Sequence, residues 1–217
     1  MSPPSFGRGR GRGERGCQRG WMPAGENRME PTRDPRPERG EYLMSMAVDQ
    51  AARCNCRKTP VGAVISRDDR VVSTGYNGTI AGFTDCISGG CPRCMDPTVV
   101  SGTELDRCIC VHAEQNALLA AARFGIRVES AVCWVTNEPC LDCTKQLIQA
   151  DLAEVYYWKA YPLKDELQVL REAMRAHAAE KKQVGFKLWV PGTNVLGLEE
   201  RYRAIKERLE SYLANPQ

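Results

Sequence analysis

The spacing of apolar residues predicts a β-hairpin near the start of the folded part of the chain. Residues 61–65 and 71–76 are short runs rich in β-branched side chains, and the polar segment 67–70 between them is typical of a turn. Before them, apolar residues at helical spacing predict an amphipathic helix from Glu41 to about Ala52. The folded part therefore starts with one helix and a two-stranded hairpin.

Helical and strand-like segments alternate in the second half of the chain. The predicted elements are a helix from His112 to Gly125, strand 131–135, a helix from Cys140 to about Ala150, strand 154–158, helix 164–182, strand 186–190 and helix 198–213. Such alternation favours parallel strands with helices on both faces. The predicted fold is α/β, a three-layer α/β/α sandwich around a mixed five-stranded sheet.

Two regions fall outside this pattern. Residues 1–40 are rich in Gly, Arg and Pro and hold few aliphatic side chains, so burial cannot offset the entropy of ordering them. We predict a disordered tail there and one domain over residues 41–217, a length that allows a full hydrophobic core. Residues 77–107 form a long loop without predicted secondary structure, and a loop of this length needs something to hold it.

Composition and charge narrow the class of protein. The chain has 217 residues, 42% of them hydrophobic, and no apolar run of about 18 residues, so we expect a cytoplasmic protein that does not span a membrane. Its net charge is +3, but nine arginines and five acidic residues give the tail +4, which leaves −1 for residues 41–217. The predicted domain is therefore not a basic nucleic-acid binder, and weak RNA binding would come from the tail.

A histidine, a glutamate and two cysteines form the most informative motif. His112 and Glu114 are followed by Pro139, Cys140 and Cys143, in the order H-x-E and then P-C-x-x-C. Two thiolates in the first turn of a helix and one imidazole can bind a zinc ion, and three protein ligands leave one position open, as in catalytic sites. The same order of residues is the signature of zinc-dependent nucleobase deaminases.

The motif predicts a hydrolytic reaction that needs no organic cofactor. Zinc makes hydroxide available from water at neutral pH, and Glu114 could move the water's proton to the attacked ring and then to the leaving amine. Taken alone, the Pro-Cys-x-x-Cys segment could also be a structural zinc knuckle or a redox pair. The joint presence of His112 and Glu114 favours catalysis.

The remaining cysteines indicate a second metal system. The chain has 11 cysteines and two histidines, and in a cytoplasmic protein such cysteines are more often metal ligands than disulfides. A tetrahedral structural zinc needs four thiolates, so six candidates could hold one or two ions; they are Cys56, Cys86, Cys91, Cys94, Cys108 and Cys110. The alternative is that these are buried, reduced thiols without metal. Cys17 and Cys133 are expected to bind none.

These motifs resemble the cytidine and deoxycytidylate deaminase superfamily, and further stretches narrow the resemblance to the deoxycytidylate (dCMP) deaminase family. Those stretches are Gly75-Tyr76-Asn77-Gly78 and the cysteine-rich segments 85–94 and 105–114, which mark a cysteine-rich subtype. The resemblance covers residues 41–192. It implies a cytidine-deaminase-like fold and zinc-dependent hydrolysis of dCMP to dUMP, which supplies dTTP synthesis, and it leaves open that dCTP is also accepted. It further implies a homo-oligomer, commonly a hexamer, activated by dCTP and inhibited by dTTP.

The resemblance also implies roles for residues outside the zinc motif. Asn77 would contact the sugar or phosphate of the substrate, Ala113 would contact the ring through its backbone, and Tyr161 would line the pocket. The allosteric nucleotide would be bound by Gly75, Tyr76, Asn77 and Gly78. Weak candidates for the substrate phosphate are Lys58, Lys159 and Lys164.

Two other functions stay open on the sequence. A polynucleotide deaminase that acts on tRNA or single strands would share the catalytic residues and use the Arg/Gly-rich tail. The near-neutral domain weighs against it, because enzymes that bind a flipped-out base need a cationic channel. The other candidate is a zinc-stabilised binding module that has lost catalysis, although the sequence retains every catalytic part.

Overall fold

The computed structural model describes residues 36–161, 163–181, 183–192 and 196–214. The predicted disordered tail lies outside these residues except at its end, and so does Cys17. The first helix begins at Arg39, just inside the range assigned to the tail. Gly40, in its first turn, packs closely: a Cβ there would lie 2.8 Å from the Trp189 ring nitrogen and 3.3 Å from the Trp134 ring.

The described residues form six α-helices and seven strands. The helices are α1 (Arg39–Ala51), α2 (Pro92–Met95), α3 (Ala113–Arg123), α4 (Leu141–Gln149), α5 (Asp165–Glu180) and α6 (Leu198–Ala214). The strands are β1 (Gly62–Arg67), β2 (Arg70–Tyr76), β3 (Gly78–Thr79), β4 (Cys110–Val111), β5 (Val132–Asn137), β6 (Glu154–Lys159) and β7 (Gly185–Leu188). Every predicted helix and strand is confirmed, with small shifts at the ends. Among the helices described, none combines the length and the apolarity that a membrane-spanning segment requires.

Five strands form one mixed sheet in the order β2-β1-β5-β6-β7. β1 pairs antiparallel with both β2 and β5, whereas β5 and β6, and then β6 and β7, are parallel. The predicted hairpin and the predicted parallel pairing are therefore both confirmed. The hairpin turn consists of Asp68 and Asp69, whose φ angles of 49° and 60° match the right-handed twist of the two strands.

Helices cover both faces of the sheet because its strands are apolar on both sides. Along β1, Ala63 and Ile65 belong to one hydrophobic core and Val64, between them, belongs to the other. The first core includes side chains from α3, α4 and α5, and the second includes side chains from α1 and α6. The result is the predicted three-layer sandwich.

The long loop between β2 and α3 contains more secondary structure than the sequence indicated. β3 and β4 pair antiparallel, with Gly78 opposite Val111 and Thr79 opposite Cys110, and α2 adds one helical turn. The prediction of a loop without secondary structure is wrong, because strands of two residues are too short to show an alternating pattern. This pairing ties the two ends of the loop together directly before α3.

Gly75 allows α3 to approach the sheet closely. A Cβ at this position would lie 2.1 Å from the Ala113 carbonyl oxygen and 2.5 Å from the Ala117 backbone nitrogen. Only glycine permits two backbones to come this near. The first turns of α3, which carry Glu114, therefore rest directly on β2.

Gly75→Ala should lower the free energy of unfolding by about 1–3 kcal/mol, because the added methyl group forces α3 away from β2. Gly185→Ala is the matched control, since the nearest atom to a Cβ there is 3.8 Å away and its effect should stay within about 1 kcal/mol. Urea unfolding followed by circular dichroism measures both. Equal midpoints for the two variants would contradict the packing role of Gly75.

Candidate active site

His112, Cys140 and Cys143 lie together at the N-terminal ends of two helices. His112 immediately precedes α3, Cys140 immediately precedes α4, and Cys143 is in the first turn of α4. The His112 Nδ1 atom is 3.4 Å from each of the two sulfur atoms. The two helix ends therefore bring an imidazole nitrogen and two thiols to a common point.

These distances suit one shared zinc ion. With Zn–N of about 2.0 Å and Zn–S of about 2.3 Å, tetrahedral coordination places the nitrogen and sulfur ligands about 3.5 Å apart. The ligand set found here in the described residues has three members, which leaves one tetrahedral position without a protein ligand. The structure also favours Nδ1, rather than Nε2, as the imidazole atom that faces the sulfurs.

Local electrostatics favour a thiolate at this point. A hydrogen bond from Cys143 and, to a lesser extent, one from His112 lower the pKa of Cys140 to about 4. The pKa of the Cys143 thiol is raised, chiefly by the Cys140 sulfur beside it. Both residues lie at the N-terminal end of α4, where the helix dipole favours anions. Cys140 thus ionises first, and a cation between the sulfurs would stabilise both as thiolates.

Glu114 lies beside this set without belonging to it. It is in the first turn of α3 and only 4% exposed. The atoms close enough to share one metal ion come from His112 and the two cysteines, and none comes from Glu114. Burial raises the pKa of the Glu114 carboxyl to about 7. A carboxyl group with a pKa near neutrality can both accept and donate a proton at physiological pH.

A pocket opens over these residues. Its wall includes the three residues that the resemblance assigns to the substrate, namely Asn77, Ala113 and Tyr161. The other lining residues are Cys56, Lys58, Thr59, Val61, Arg93, Ser101, Gly102, Leu105, Cys108, Cys110, His112, Glu114, Asn137, Glu138 and Cys140. Two of the three predicted metal ligands, Glu114 and the predicted substrate contacts therefore line one concave site, and the third ligand, Cys143, is buried beside it.

One family model covers more than half of the chain. It is described as the cytidine and deoxycytidylate deaminase zinc-binding region, and it matches residues 37–159. The chain belongs to this family. The matched range contains His112, Glu114, Cys140 and Cys143, and the resemblance seen in the sequence is confirmed.

Relatives within the family carry more specific names. The chain is 42% identical over 139 residues to the deoxycytidylate deaminase of Saccharomyces cerevisiae, covering 64% of this chain and 43% of that protein. It is 43% identical over 138 residues to the deoxycytidylate deaminase of Schizosaccharomyces pombe, covering 64% and 42%. The match thus spans less than half the length of these yeast relatives.

A solved structure confirms the fold class. The dCMP deaminase of the cyanophage S-TIM5, in complex with dCMP and dUMP, matches with a TM-score of 0.54 and 28% sequence identity. The match covers 71% of this chain and 98% of the phage chain. The cytidine-deaminase-like sandwich predicted for this family is therefore the fold observed here.

The glycine–tyrosine–asparagine–glycine segment has a packing role beside the pocket. The Asn77 side chain accepts a hydrogen bond from the Val61 backbone N–H at 2.8 Å and donates one to the Thr59 carbonyl oxygen at 2.8 Å. A Cβ on Gly78 would lie 2.5 Å from the Asn55 side-chain oxygen. These contacts account for the asparagine and the glycine structurally, and an allosteric role for the segment stays a prediction.

Of the three lysines considered for phosphate binding, only Lys58 lines the pocket. Its Nζ donates to two carbonyl oxygens of the loop, each at 3.0 Å. The Nζ of Lys159 instead pairs with the Glu199 carboxylate at 3.0 Å and lies over the Trp158 ring. Lys164 is exposed at the start of α5. Lys58 is therefore the one of these three lysines that is positioned to reach a phosphate in the pocket.

The sequence pattern did not single out Arg93, although it lines the pocket and is only 3% exposed. Its Nε donates to the Thr103 carbonyl oxygen at 3.1 Å and its Nη2 donates to the Val100 carbonyl oxygen at 3.2 Å. Arg93 therefore holds the segment that forms one wall of the pocket. Arginines in polar loops are usually exposed, so the sequence carried no signal for this role.

A second buried group of charges supports the segment before Cys140. Glu138 pairs with Arg171 at 3.1 Å and with Arg175 at 2.6 Å. The fully buried Arg171 also donates from Nη1 to the carbonyl oxygens of Pro139 and Tyr161, both at 3.1 Å. α5 thus positions the cysteine-bearing turn and Tyr161 together. No sequence pattern indicates this role, since Arg171 lies among the other charged residues of an amphipathic helix.

Arg171→Ala should lower the free energy of unfolding by about 2–4 kcal/mol, because it removes one of the two arginine partners of the buried Glu138 and the hydrogen bonds that Arg171 donates to the Pro139 and Tyr161 carbonyl oxygens. Arg127→Ala is the control. The ion pair between Arg127 and Glu129 is exposed, so its loss should cost at most about 1 kcal/mol. Guanidinium unfolding monitored by tryptophan fluorescence compares the two variants. A loss for Arg171→Ala no larger than that of the control would contradict this role.

Proposed function

We propose that this chain catalyses the zinc-dependent hydrolytic deamination of dCMP to dUMP, with release of ammonia. The observation that carries the proposal is the grouping of His112, Cys140 and Cys143 at a pocket that the buried Glu114 also lines. The yeast relatives named deoxycytidylate deaminase, and the phage dCMP deaminase bound to dCMP and dUMP, support the choice of nucleotide. The product would feed dTTP synthesis.

The ligands of the catalytic zinc would be His112 Nδ1 and the sulfur atoms of Cys140 and Cys143. Zinc bound by such a set supplies the activation of water for attack at neutral pH. The contribution of the chain is to present one neutral and two anionic donors from two helix N-termini. It also leaves one tetrahedral position without a protein ligand.

Glu114 would carry the protons of the reaction. Its carboxylate accepts a proton from the attacking water and delivers it to the ring nitrogen next to the attacked carbon. It then moves the second proton of that water to the leaving amino group, so that a C–O bond replaces the C–N bond and ammonia departs. Burial keeps the pKa of this carboxyl near neutrality, which suits a group that serves as base and then as acid.

Asn77, Ala113 and Tyr161 would form the substrate contacts. The amide of Asn77 is oriented by its hydrogen bonds to the backbone and keeps a further lone pair and a further N–H for a ligand. Tyr161 packs against Gly102, and its hydroxyl lies 3.4 Å from the Ser101 hydroxyl, so the ring forms a wall of the pocket. Ala113 lies between the metal ligand and Glu114 in sequence, where its backbone borders the site.

Lys58 and Arg93 bring two cationic side chains to the same pocket. A nucleotide monophosphate needs such partners, whereas a nucleoside does not. We therefore propose that these charges favour dCMP over deoxycytidine.

We further propose that the protein acts as a homo-oligomer, expected to be a hexamer, which dCTP activates and dTTP inhibits. The support is the family resemblance, together with exposed apolar side chains that a subunit contact could cover. Leu119 on α3 is 60% exposed, and Phe124, just after this helix, is 71% exposed. Acceptance of dCTP as a substrate and a cytoplasmic location stay predictions from the sequence.

Structural zinc is the second metal that we propose. All six cysteines of the candidate pool occur in two groups of four within the described residues. Cys133 instead lies on β5 with its side chain in the hydrophobic core, and it belongs to neither group. One or two zinc ions bound by these cysteines would hold the long loop beside the hairpin.

Glu114→Gln should reduce kcat for dCMP by about 100- to 10,000-fold, because the amide cannot carry a proton, while the zinc content stays unchanged. Asp142→Asn is the matched control. Asp142 lies between the two cysteine ligands in sequence, and its exposed carboxylate pairs with Lys145. Loss of this carboxylate should leave turnover near that of the wild type. Ammonia release and metal analysis are the two readouts. Retained activity in Glu114→Gln, or loss of its zinc, would show that the assigned role is wrong.

The substrate class is tested by offering purified protein dCMP, dCTP, CMP, deoxycytidine and a single-stranded oligonucleotide, with dCTP or dTTP added as effector. We expect turnover of dCMP above that of the nucleoside. Turnover of the oligonucleotide alone would support the polynucleotide deaminase instead. A zinc-loaded protein that acts on none of these substrates would support the binding module.

Lys58→Met should reduce the preference for dCMP over deoxycytidine, measured as the ratio of kcat/KM values, by about tenfold, the effect of losing one hydrogen bond to a charged group. Lys159→Met is the control, because this lysine pairs with Glu199 and does not line the pocket. If Lys58→Met lowers kcat/KM equally for both substrates, Lys58 holds the loop and does not recognise phosphate.

A further inference from the structure

Six cysteine side chains are gathered into one cluster beside the pocket. They come from four separate segments: the turn after α1, the helical turn at residues 86–88, the region of α2, and β4 with the residues before it. The members are Cys56, Cys86, Cys91, Cys94, Cys108 and Cys110. None of them belongs to the His112 set, so the catalytic site does not account for their convergence.

The cluster divides into two sets of four that share two members. The first set is Cys56, Cys86, Cys94 and Cys110, and the second is Cys91, Cys94, Cys108 and Cys110. Within each set the four sulfur atoms all lie within 4.8 Å of one another. When six thiolates give each of two metal ions four ligands, two thiolates must be shared, and the shared pair here is Cys94 and Cys110.

The sulfur–sulfur spacings are those of ligands around a metal. The Cys108 sulfur lies 3.8 Å from the Cys94 sulfur and 3.9 Å from the Cys91 sulfur. A tetrahedron of sulfur atoms at a Zn–S distance of about 2.3 Å has edges of about 3.8 Å. A disulfide would require about 2.05 Å, and the cysteines described are all free.

We propose that the six cysteines bind two zinc ions as one dinuclear cluster, in which the thiolates of Cys94 and Cys110 bridge both ions. Two further thiolates complete the coordination of each ion. Every thiol loses its proton on binding, so six protons are released and the cluster carries a net charge of about −2. The proposal specifies the structural zinc suggested above and does not depend on the deamination reaction.

One arginine and one backbone N–H approach sulfur atoms of the cluster. Arg93 Nη1 lies 3.8 Å from the Cys94 sulfur, and the backbone N–H of Arg57 donates to the Cys86 sulfur at 3.4 Å. Contacts of this kind stabilise the negative charge of a thiolate-rich metal centre.

The cluster would hold the pocket wall in place. β4 carries Cys110 and leads directly to His112, and the cysteines at positions 56, 108 and 110 line the pocket. α2 carries Cys94 next to Arg93, whose side chain holds the wall segment. The two metal systems are thus connected through short stretches of backbone.

Native mass spectrometry of the zinc-loaded wild-type protein should show about three zinc ions per chain, one at the His112 set and two in the cluster. His112→Ala is the internal reference, because it should lose one ion and keep the pair. A wild-type protein that binds one ion at the His112 set and one in the cluster would overturn the proposal.

Replacement of zinc by ¹¹³Cd tests the bridges in the wild-type protein itself, so no variant has to fold. A sulfur atom shared by two ¹¹³Cd nuclei transmits scalar coupling between them, and two thiolate-shifted resonances split by each other are expected. Two cluster resonances without mutual coupling would show separate sites and overturn the shared ligands.

Single substitutions distinguish terminal from bridging ligands. In a chelator titration, Cys56→Ser should lower the affinity for one cluster ion at least tenfold and leave the affinity for the other ion unchanged. Cys94→Ser should lower the affinity for both ions. Cys54→Ser is the matched control: it lies two positions from Cys56 and belongs to neither set, so all ions should be retained. If Cys94→Ser keeps one cluster ion at wild-type affinity, Cys94 does not bridge.

These readouts separate the cluster from the proposed activity. If the protein shows coupled cadmium resonances but does not turn over dCMP, the dinuclear cluster is supported and the proposed function is contradicted. If the protein turns over dCMP but binds a single ion in the cluster, the proposed function is supported and the dinuclear cluster is contradicted.

Discussion

The close approach of α3 to β2 at Gly75 governs the geometry of the active site. With no side chain between the two backbones, the first turn of α3 lies against the sheet, which fixes His112 and buries Glu114. The turn before α4 then has to present Cys140 within 3.4 Å of the imidazole. A shift of α3 by the width of a methyl group would separate donors that one small ion must bind together.

Buried charges stabilise the two sides of this site. Arg171 and Glu138 form a buried ion pair, which is costly unless further hydrogen bonds offset the loss of water, and the carbonyl oxygens of Pro139 and Tyr161 accept two such bonds from Arg171 Nη1. Arg93 plays the corresponding part on the loop side, where it binds the carbonyl oxygens of the pocket wall. Each arginine thereby connects several backbone segments that have no apolar core of their own.

The cysteine cluster provides buried contacts that the long loop otherwise lacks. Residues 77–107 contain few large apolar side chains that are buried, and the hydrophobic cluster of this region consists mainly of cysteines. Metal–thiolate bonds can order such a segment where hydrophobic burial cannot, because their free energy adds directly to folding. The proposed zinc pair would therefore serve the loop as a core, adjacent to the pocket that the loop encloses.

The sequence by itself determined the elements and the zinc motif, because periodicity and short spacings are local properties: the hairpin, the helix after His112 and the Pro-Cys-x-x-Cys turn all follow from neighbouring residues. Only the tertiary structure decided which atoms meet. It selected Nδ1 of His112, sorted six cysteines into two sets that share two members, and placed Arg93 and Arg171 in buried networks. These contacts join residues distant in the chain, and their partners depend on the three-dimensional path of the backbone, which no local pattern encodes.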